Sequence, residues 1–401
     1  MFVAKLTIIT VFYSYISLLD FYRMAGIYLH IPLCKKLCFY CDFYHIISTG
    51  DNTAFIDALL KEAVLRKDYV ANESISTIYF GGGTPSVLSV MELESILNQI
   101  RKHYSVAEDC EISVELNPDD VNPAYLTGLK EINVNRISLG IQSWRDADLK
   151  MLNRRHDAAQ AEKALKEILS SGIENVSIDL IYGIPGMGLV EWASILEFSF
   201  SFGIKHLSAY HLTFEAGTVF GKMLEKGLIA EVDEEESIAL FNTLIEKAER
   251  AGFIHYEISN FGKPGYFSIH NSNYWKQVNY IGLGPSAHSF NGYSRQWNIK
   301  DLKGYIKSVN SGKSFYEQED LDLKARFNEY VMTSLRTMWG IDLEYIEKTF
   351  EKEGYDYVVN LAGKFKDYGL IKQDKKSLVL TNQGKLISDN IISEFMIPAD
   401  E

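Results

Sequence analysis

Three of the four cysteines in this 401-residue chain fall within eight residues, Cys34, Cys38 and Cys41 in the stretch CKKLCFYC. Thiolates are soft ligands suited to iron-sulfur clusters or zinc, and a short loop can turn three of them toward one site. Lys35 and Lys36 between them argue against a buried apolar role, since lysine ammonium groups keep to water. A structural zinc site needs a fourth ligand, for which His30 and His45 lie near enough in sequence. A four-iron cluster on three thiolates leaves one iron open to an outside ligand, which accounts for the count stopping at three. Cys110 has no cysteine or histidine close by and reads as a packed, inert thiol.

Other chemistry-bearing residues follow the cysteines at intervals. GGGTPS (81–86) offers backbone N–H groups that can approach a carboxylate or phosphate closely, because glycine has no Cβ. Glu115, Gln142 and Asp179 each stand at or near the end of an apolar stretch, where a polar group is costly unless it meets a polar partner. Neighbouring backbone donors are the plain alternative for each of them. Arg154 follows in LNRRH, and Tyr28 and Tyr40 flank the cysteines. Further on, HNSNYW (270–275) sets His270 before Tyr274 and Trp275, an imidazole beside two rings able to stack on a flat ligand. His206, His211 and His288 read equally well as hydrogen-bonded structural residues.

Positioning these residues requires a repeating scaffold, and the sequence supplies one. Short β-branched and aromatic runs at 26–31, 76–82, 111–116, 135–141, 175–183 and 205–212 alternate with amphipathic stretches at 53–70, 90–104 and 158–172. Repeated βα units of this kind predict a parallel sheet, and in barrels of such units the strand C-terminal ends carry the chemistry. The predicted class is α/β, a partial (β/α)6 TIM-like barrel with a smaller C-terminal α+β, winged-helix-like domain. The expected divisions are an upstream extension over 1–23, the barrel over 24–260, a connecting region with HNSNYW over 261–300, and the C-terminal domain over 301–401.

The apolar run 6–19 is too short for a membrane span of about 20 residues and lacks a small-residue cleavage site, so Met24 is read as the working start. The 40 basic and 53 acidic residues give a net charge of -13, which repels phosphate backbones and argues against a general nucleic-acid binder. Sparse, unpaired cysteines point to a reducing compartment, the cytoplasm.

The C-x3-C-x2-C spacing, with Tyr28 and His30 before it and Asp42 and Phe43 after it, resembles the signature of the radical S-adenosylmethionine (SAM) superfamily. The resemblance implies a [4Fe-4S] cluster on Cys34, Cys38 and Cys41, with SAM chelated at the open iron. Gly82, Gly83 and Thr84 match the loop for the SAM amino group. Glu115, Gln142, Arg154 and Asp179 match SAM-contacting positions of the oxygen-independent coproporphyrinogen oxidase-like branch, and Tyr28 and Tyr40 match further positions near that cofactor. True oxidases of this branch carry another cysteine two residues after the third, where this chain has Phe43, and an N-terminal arm that is absent if Met24 is the start. HNSNYW resembles the H-N-x-x-Y-W motif of the branch's heme chaperone subfamily, which implies His270 as a ligand of heme iron. The implied function is to bind heme and transfer it to an acceptor protein. An electron donor is needed if SAM is cleaved, and any membrane association would come through the acceptor. The same resemblance leaves open a true oxidase that decarboxylates porphyrinogen propionates, and a methylase or ring-opening enzyme of heme breakdown.

Overall fold

The structure, a computed structural model, describes residues 24–70 and 73–398. The extension expected over 1–23 lies outside the described residues.

Six parallel strands form in the predicted places. They are β1 (Met24–Ile31), β2 (Ser74–Gly82), β3 (Val106–Leu116), β4 (Arg136–Gln142), β5 (Asn175–Tyr182) and β6 (His206–His211), each paired with the next. The crossovers are α1 (Thr53–Leu65), α2 (Val90–His103), α3 (Pro123–Glu131), α4 (Ala158–Ser170) and α5 (Leu189–Ser201). α4 shows why these segments are helical. Ala161, Ala164, Leu165 and Ile168 recur at helical spacing and are buried, while Asp157 and Gln160 form a reciprocal capping box. Such a cap contributes about 1 kcal/mol by satisfying N–H groups that the first turn leaves open. The result is the partial (β/α)6 barrel that the alternation predicts.

The sheet continues beyond the six strands on both sides. Next to β6 lie β7 (Ile254–Glu257) and β8 (Asn260–Gly262). Next to β1 lies β9 (Asn279–Leu283), also parallel, followed by the antiparallel β10 (His288–Phe290), β11 (Ser294–Asn298) and β12 (Tyr316–Asp320). The order among the described residues is β12-β11-β10-β9-β1-β2-β3-β4-β5-β6-β8-β7. A buried ion pair ties this late addition to the first crossover. Arg66 Nη1 bonds Glu62 at 3.3 Å and donates to the Gly282 carbonyl at 3.0 Å, while Nη2 donates to Gln296 at 2.6 Å and Ser289 Oγ at 3.0 Å. Glu62 in turn accepts from the Gly284 amide and the Asn298 side chain, both at 2.7 Å.

α6 (Glu234–Arg250) packs on α5. α7 (Ile269–Trp275) carries the HNSNYW stretch. A second hydrophobic core, running from Phe327 to Phe395, organises the C-terminal domain around α8 (Leu323–Leu335) and α9 (Leu343–Asp367). Its small sheet of β13 (Ile341–Asp342), β14 (Ile371–Gln373) and β15 (Ser377–Leu380) has the order β13-β15-β14. No helix among the described residues is long and apolar enough to cross a membrane.

Candidate functional site: a cysteine loop at the barrel mouth

The cysteine loop leaves the C-terminal end of β1. Its base is closed where Leu33–Cys34 pairs in parallel with Ile46–Ile47. Cys34 is buried, and Cys38 and Cys41 are partly exposed. The segment after β4 holds the loop from outside. The Phe39 amide donates to the Leu152 carbonyl at 3.3 Å, Asn153 Nδ2 to the Leu37 carbonyl at 2.7 Å, and Lys36 Nζ to the Arg154 carbonyl at 3.3 Å. Asp120 gathers a second set of ties, from Lys35 Nζ at 2.6 Å, Ser86 Oγ at 2.8 Å and Arg155 at 2.9 Å. Burial pushes the Cys41 thiol up to about 12 and raises Cys34 as well, with neighbouring thiols adding to both. A bound metal reverses this, because coordination deprotonates a thiol.

Among the described residues no three His, Cys, Asp or Glu side chains gather round a single ion. A four-iron cluster makes no such demand, since each thiolate binds a different iron. Two further observations fit such a cluster with a ligand beside it. A Cβ on Gly83 would stand 3.0 Å from Cys34 Sγ, so glycine lets the β2 end pass the thiol. Arg154 Nε is buried without a partner among the described residues.

The other predicted residues line the barrel around this loop. Thr84 Oγ1 donates to Cys34 Sγ at 3.4 Å, and Arg154 Nη1 donates to Cys38 Sγ at 3.2 Å. Arg154 Nη2 reaches Asn117 Oδ1 at 2.6 Å and the Gly140 carbonyl at 2.8 Å. Gln142 sits at a register shift between β4 and β5 with a left-handed φ of 69°, which turns its side chain back toward Gly140 and Arg154. Gly82 also adopts a left-handed φ, 108°, with the His30 ring where a Cβ would stand. Glu115 Oε1 accepts from Tyr79 Oη at 2.8 Å, and Asp179 Oδ1 accepts from Ser138 Oγ at 3.0 Å. Burial pushes Glu115 up to about 7 and Asp179 up to about 6; the hydrogen bonds of both and, for Asp179, the nearby Arg136 and Arg154 offset this only in part. Burial likewise raises the Tyr40 phenol strongly, with the Cys38 thiol adding to it. Tyr28 stacks near Tyr79 and shares a hydrogen bond with His30 Nδ1 at 3.1 Å.

His270, on α7, lies buried against β2, not on an open surface. It is 2% exposed, stacks on Tyr79 at 5.0 Å, and has both ring nitrogens engaged, Nδ1 with Thr77 Oγ1 and Nε2 with Tyr274 Oη, each at 2.8 Å. Burial pushes its pKa down to about 3. His206 and His211 are also hydrogen-bonded, to Ser177 and Tyr256 and to Leu212 and Ser237. Asn117, Asp120, Tyr79 and Thr77 touch these residues and belong to none of the motifs above. Asn117 and Asp120 carried one usable signal, their place in NPDD directly after a barrel strand.

Beside the cysteine loop opens a cavity of about 530 Å3, within the usual range of about 300–1,000 Å3 for small-molecule sites. Phe43, Tyr44, Trp275, His288 and Lys300 face it, and α8 closes it with Met332 and Thr333. Phe43 is 66% exposed there.

A thiol triad at the mouth of a partial barrel, ringed by polar strand ends, defines a protein of the radical SAM type. The Radical SAM superfamily matches residues 28–199, and the HemN C-terminal domain matches 321–387. The Heme chaperone HemW of Lactococcus lactis subsp. lactis (strain IL1403) is 32% identical over 374 residues, covering 92% of this chain and 97% of that one. The Heme chaperone HemW of Bacillus subtilis (strain 168) is 30% identical over 376 residues, covering 93% and 99%. Among solved structures, Coproporphyrinogen III oxidase (HemN) from Escherichia coli superposes with a TM-score of 0.80 at 24% identity, over 94% of this chain and 92% of that one, a likeness of fold. This chain belongs to the HemW family, in the HemN-like branch of the radical SAM superfamily.

Proposed function

We propose that this protein binds heme and passes it to an acceptor protein, and that it carries a [4Fe-4S] cluster on Cys34, Cys38 and Cys41 with exchangeable SAM at the fourth iron. The observation that carries the reading is the wall shared by the cysteine loop and the aromatic cavity. There Phe43, an exposed apolar ring, occupies the position at which the oxidase pattern would require a further thiol. The names of the relatives in the preceding comparison support it.

Gly82, Gly83 and Thr84 would approach the SAM amino group, with Arg154, Gln142, Glu115 and Asp179 offering hydrogen bonds to its polar parts and Tyr28 and Tyr40 packing beside it. When bound, the cluster supplies one electron and an open coordination position. The chain's own contribution is to gather three thiols at the barrel mouth, fix their loop through Asp120 and Arg154, and keep the glycine passage clear. We place the protein in the cytoplasm, where three unpaired thiols stay reduced. The net charge of -13 supports a role without nucleic acid. On this reading residues 24–260 form the SAM-binding unit, 261–300 link it to the cavity, and 301–401 cover it.

The test is a paired assay after anaerobic cluster reconstitution. One arm follows heme binding and its transfer to apo-acceptor, and the other follows coproporphyrinogen decarboxylation with SAM cleavage. Heme uptake and release without decarboxylation is expected. Steady decarboxylation would move the protein to the alternative, an oxygen-independent coproporphyrinogen dehydrogenase.

A further inference from the structure

Two histidines face the cavity beside the cysteine loop, and a third supports its wall. His30 has both ring nitrogens engaged, Nδ1 with Tyr28 Oη at 3.1 Å and Nε2 with the Tyr44 carbonyl at 2.8 Å. His270 is likewise committed at both nitrogens and is buried behind Tyr274. His288 differs from both. It is exposed on the cavity wall, and its ring has no hydrogen-bond partner among the described residues. Its backbone is nonetheless held firmly. The next residue, Ser289, receives Arg66 Nη2 at 3.0 Å and accepts the Gly282 amide at 2.9 Å.

The rest of the wall suits a flat, anionic, largely apolar ligand. Phe43, Tyr44 and Trp275 present rings. Two cations stand against one carboxylate, Asp42. Of the cations, Arg295 is already paired with Glu329 and Tyr280, whereas Lys300 is exposed and has no ion pair among the described residues.

We infer that this cavity is the heme site, with His288 as the axial ligand of the iron and the Lys300 ammonium pairing a ring propionate. The inference rests on the heme-binding reading above. It assigns His270 a different task. By holding Tyr274 at 2.8 Å and stacking on Tyr79, His270 fixes α7 so that Trp275 forms part of the wall.

The experiment titrates hemin and, separately, metal-free protoporphyrin into the full chain and into the variants His288→Ala, His288→Gln, His270→Gln and Lys300→Ala. Electron paramagnetic resonance reads the axial ligand. The unsubstituted protein should give a histidine-ligated ferric heme signal. Both His288 variants should lose it and bind hemin about 10- to 100-fold more weakly, a loss of the size that even outer-shell groups cause. Added imidazole should restore ligation to His288→Ala. Metal-free protoporphyrin, which offers no iron, should bind His288→Ala nearly as well as the unsubstituted chain and bind Lys300→Ala more weakly. His270→Gln should keep the signal in its folded fraction. An unchanged signal and affinity in both His288 variants would overturn the assignment while leaving heme binding intact. Loss of the signal in His270→Gln at unchanged melting temperature would do the same. Absence of hemin binding by the unsubstituted protein would overturn the heme-binding reading and this inference together.

Discussion

Arg154 Nη1 donates to the sulfur of Cys38 across 3.2 Å, although 116 residues separate the two. The same guanidinium holds Asn117 and the Gly140 carbonyl, so one planar fork joins the cysteine loop to the ends of β3 and β4. Lysine would keep the charge and lose the fork. Arg154→Lys should therefore retain iron after reconstitution yet bind SAM about tenfold more weakly, the equivalent of one lost charge-assisted hydrogen bond. Isothermal titration with SAM checks this, and undiminished affinity would remove Arg154 from that role.

Gly83 passes between Ile31 and Cys34. A Cβ there would meet the Ile31 carbonyl at 2.9 Å and both Cys34 Sγ and the Leu33 carbonyl at 3.0 Å. Because two of these atoms are backbone, they cannot swing away, and overpacking of this kind costs about 1–3 kcal/mol. Gly83→Ala should lower both the urea midpoint and the iron bound per chain. Full iron content in a stable Gly83→Ala protein would show that the passage is wider than the geometry indicates.

His270 predicts a pH dependence with a definite sign. Its folded pKa of about 3 lies below the ordinary value of about 6.5, so below that ordinary value the unfolded chain takes up a proton that the folded chain refuses. The contribution of His270 to stability is complete above about pH 6.5 and is lost as the pH falls toward 3. His156 and His255, also pushed down to about 3 by burial, act in the same direction. Glu115 and Asp179, pushed up by burial, act in the opposite direction, so the readout is the difference between chains: urea midpoints of the unsubstituted chain should fall relative to those of His270→Gln as the pH drops across this window. Parallel slopes would mean that His270 is protonated as easily in the fold as outside it.

The buried Glu62–Arg66 pair predicts an asymmetry between single and double substitutions. Arg66→Met leaves the Glu62 carboxylate without its cation and should cost about 3–5 kcal/mol, whereas Glu62→Leu combined with Arg66→Met should recover much of that loss. Chemical unfolding of Arg66→Met, Glu62→Leu and the double variant measures the difference. Additive losses would show that the pair contributes no coupling.

The barrel strands were legible because their apolar side chains face a core on both sheet surfaces, leaving short β-branched runs between helical ones. The cysteine loop was legible because thiols are rare in this chain. The strands after α7 were not. In β11 the buried positions are Ser294, Gln296 and Asn298, so its alternation is polar inward, toward Arg66 and Glu62, and a hydrophobic pattern has nothing to register. The surroundings of His270 were hidden for another reason. Its partner Thr77 lies 193 residues away, a contact that only the parallel packing of distant segments creates.

The pairing of β1 with β9, Ala25 opposite Asn279, carries a consequence in time. A nascent chain that has emerged only through β6 presents the cysteine loop on a strand whose outer edge has no neighbour. Such an edge is a template for wrong pairing, and closing it demands contacts between segments far apart in sequence, the slow kind of folding step. The ties that hold the cysteine loop come from Asp120, Asn153 and Arg154, all made before β6, so synthesis order fastens the thiols on a strand that stays open on one side until Leu283 has left the ribosome.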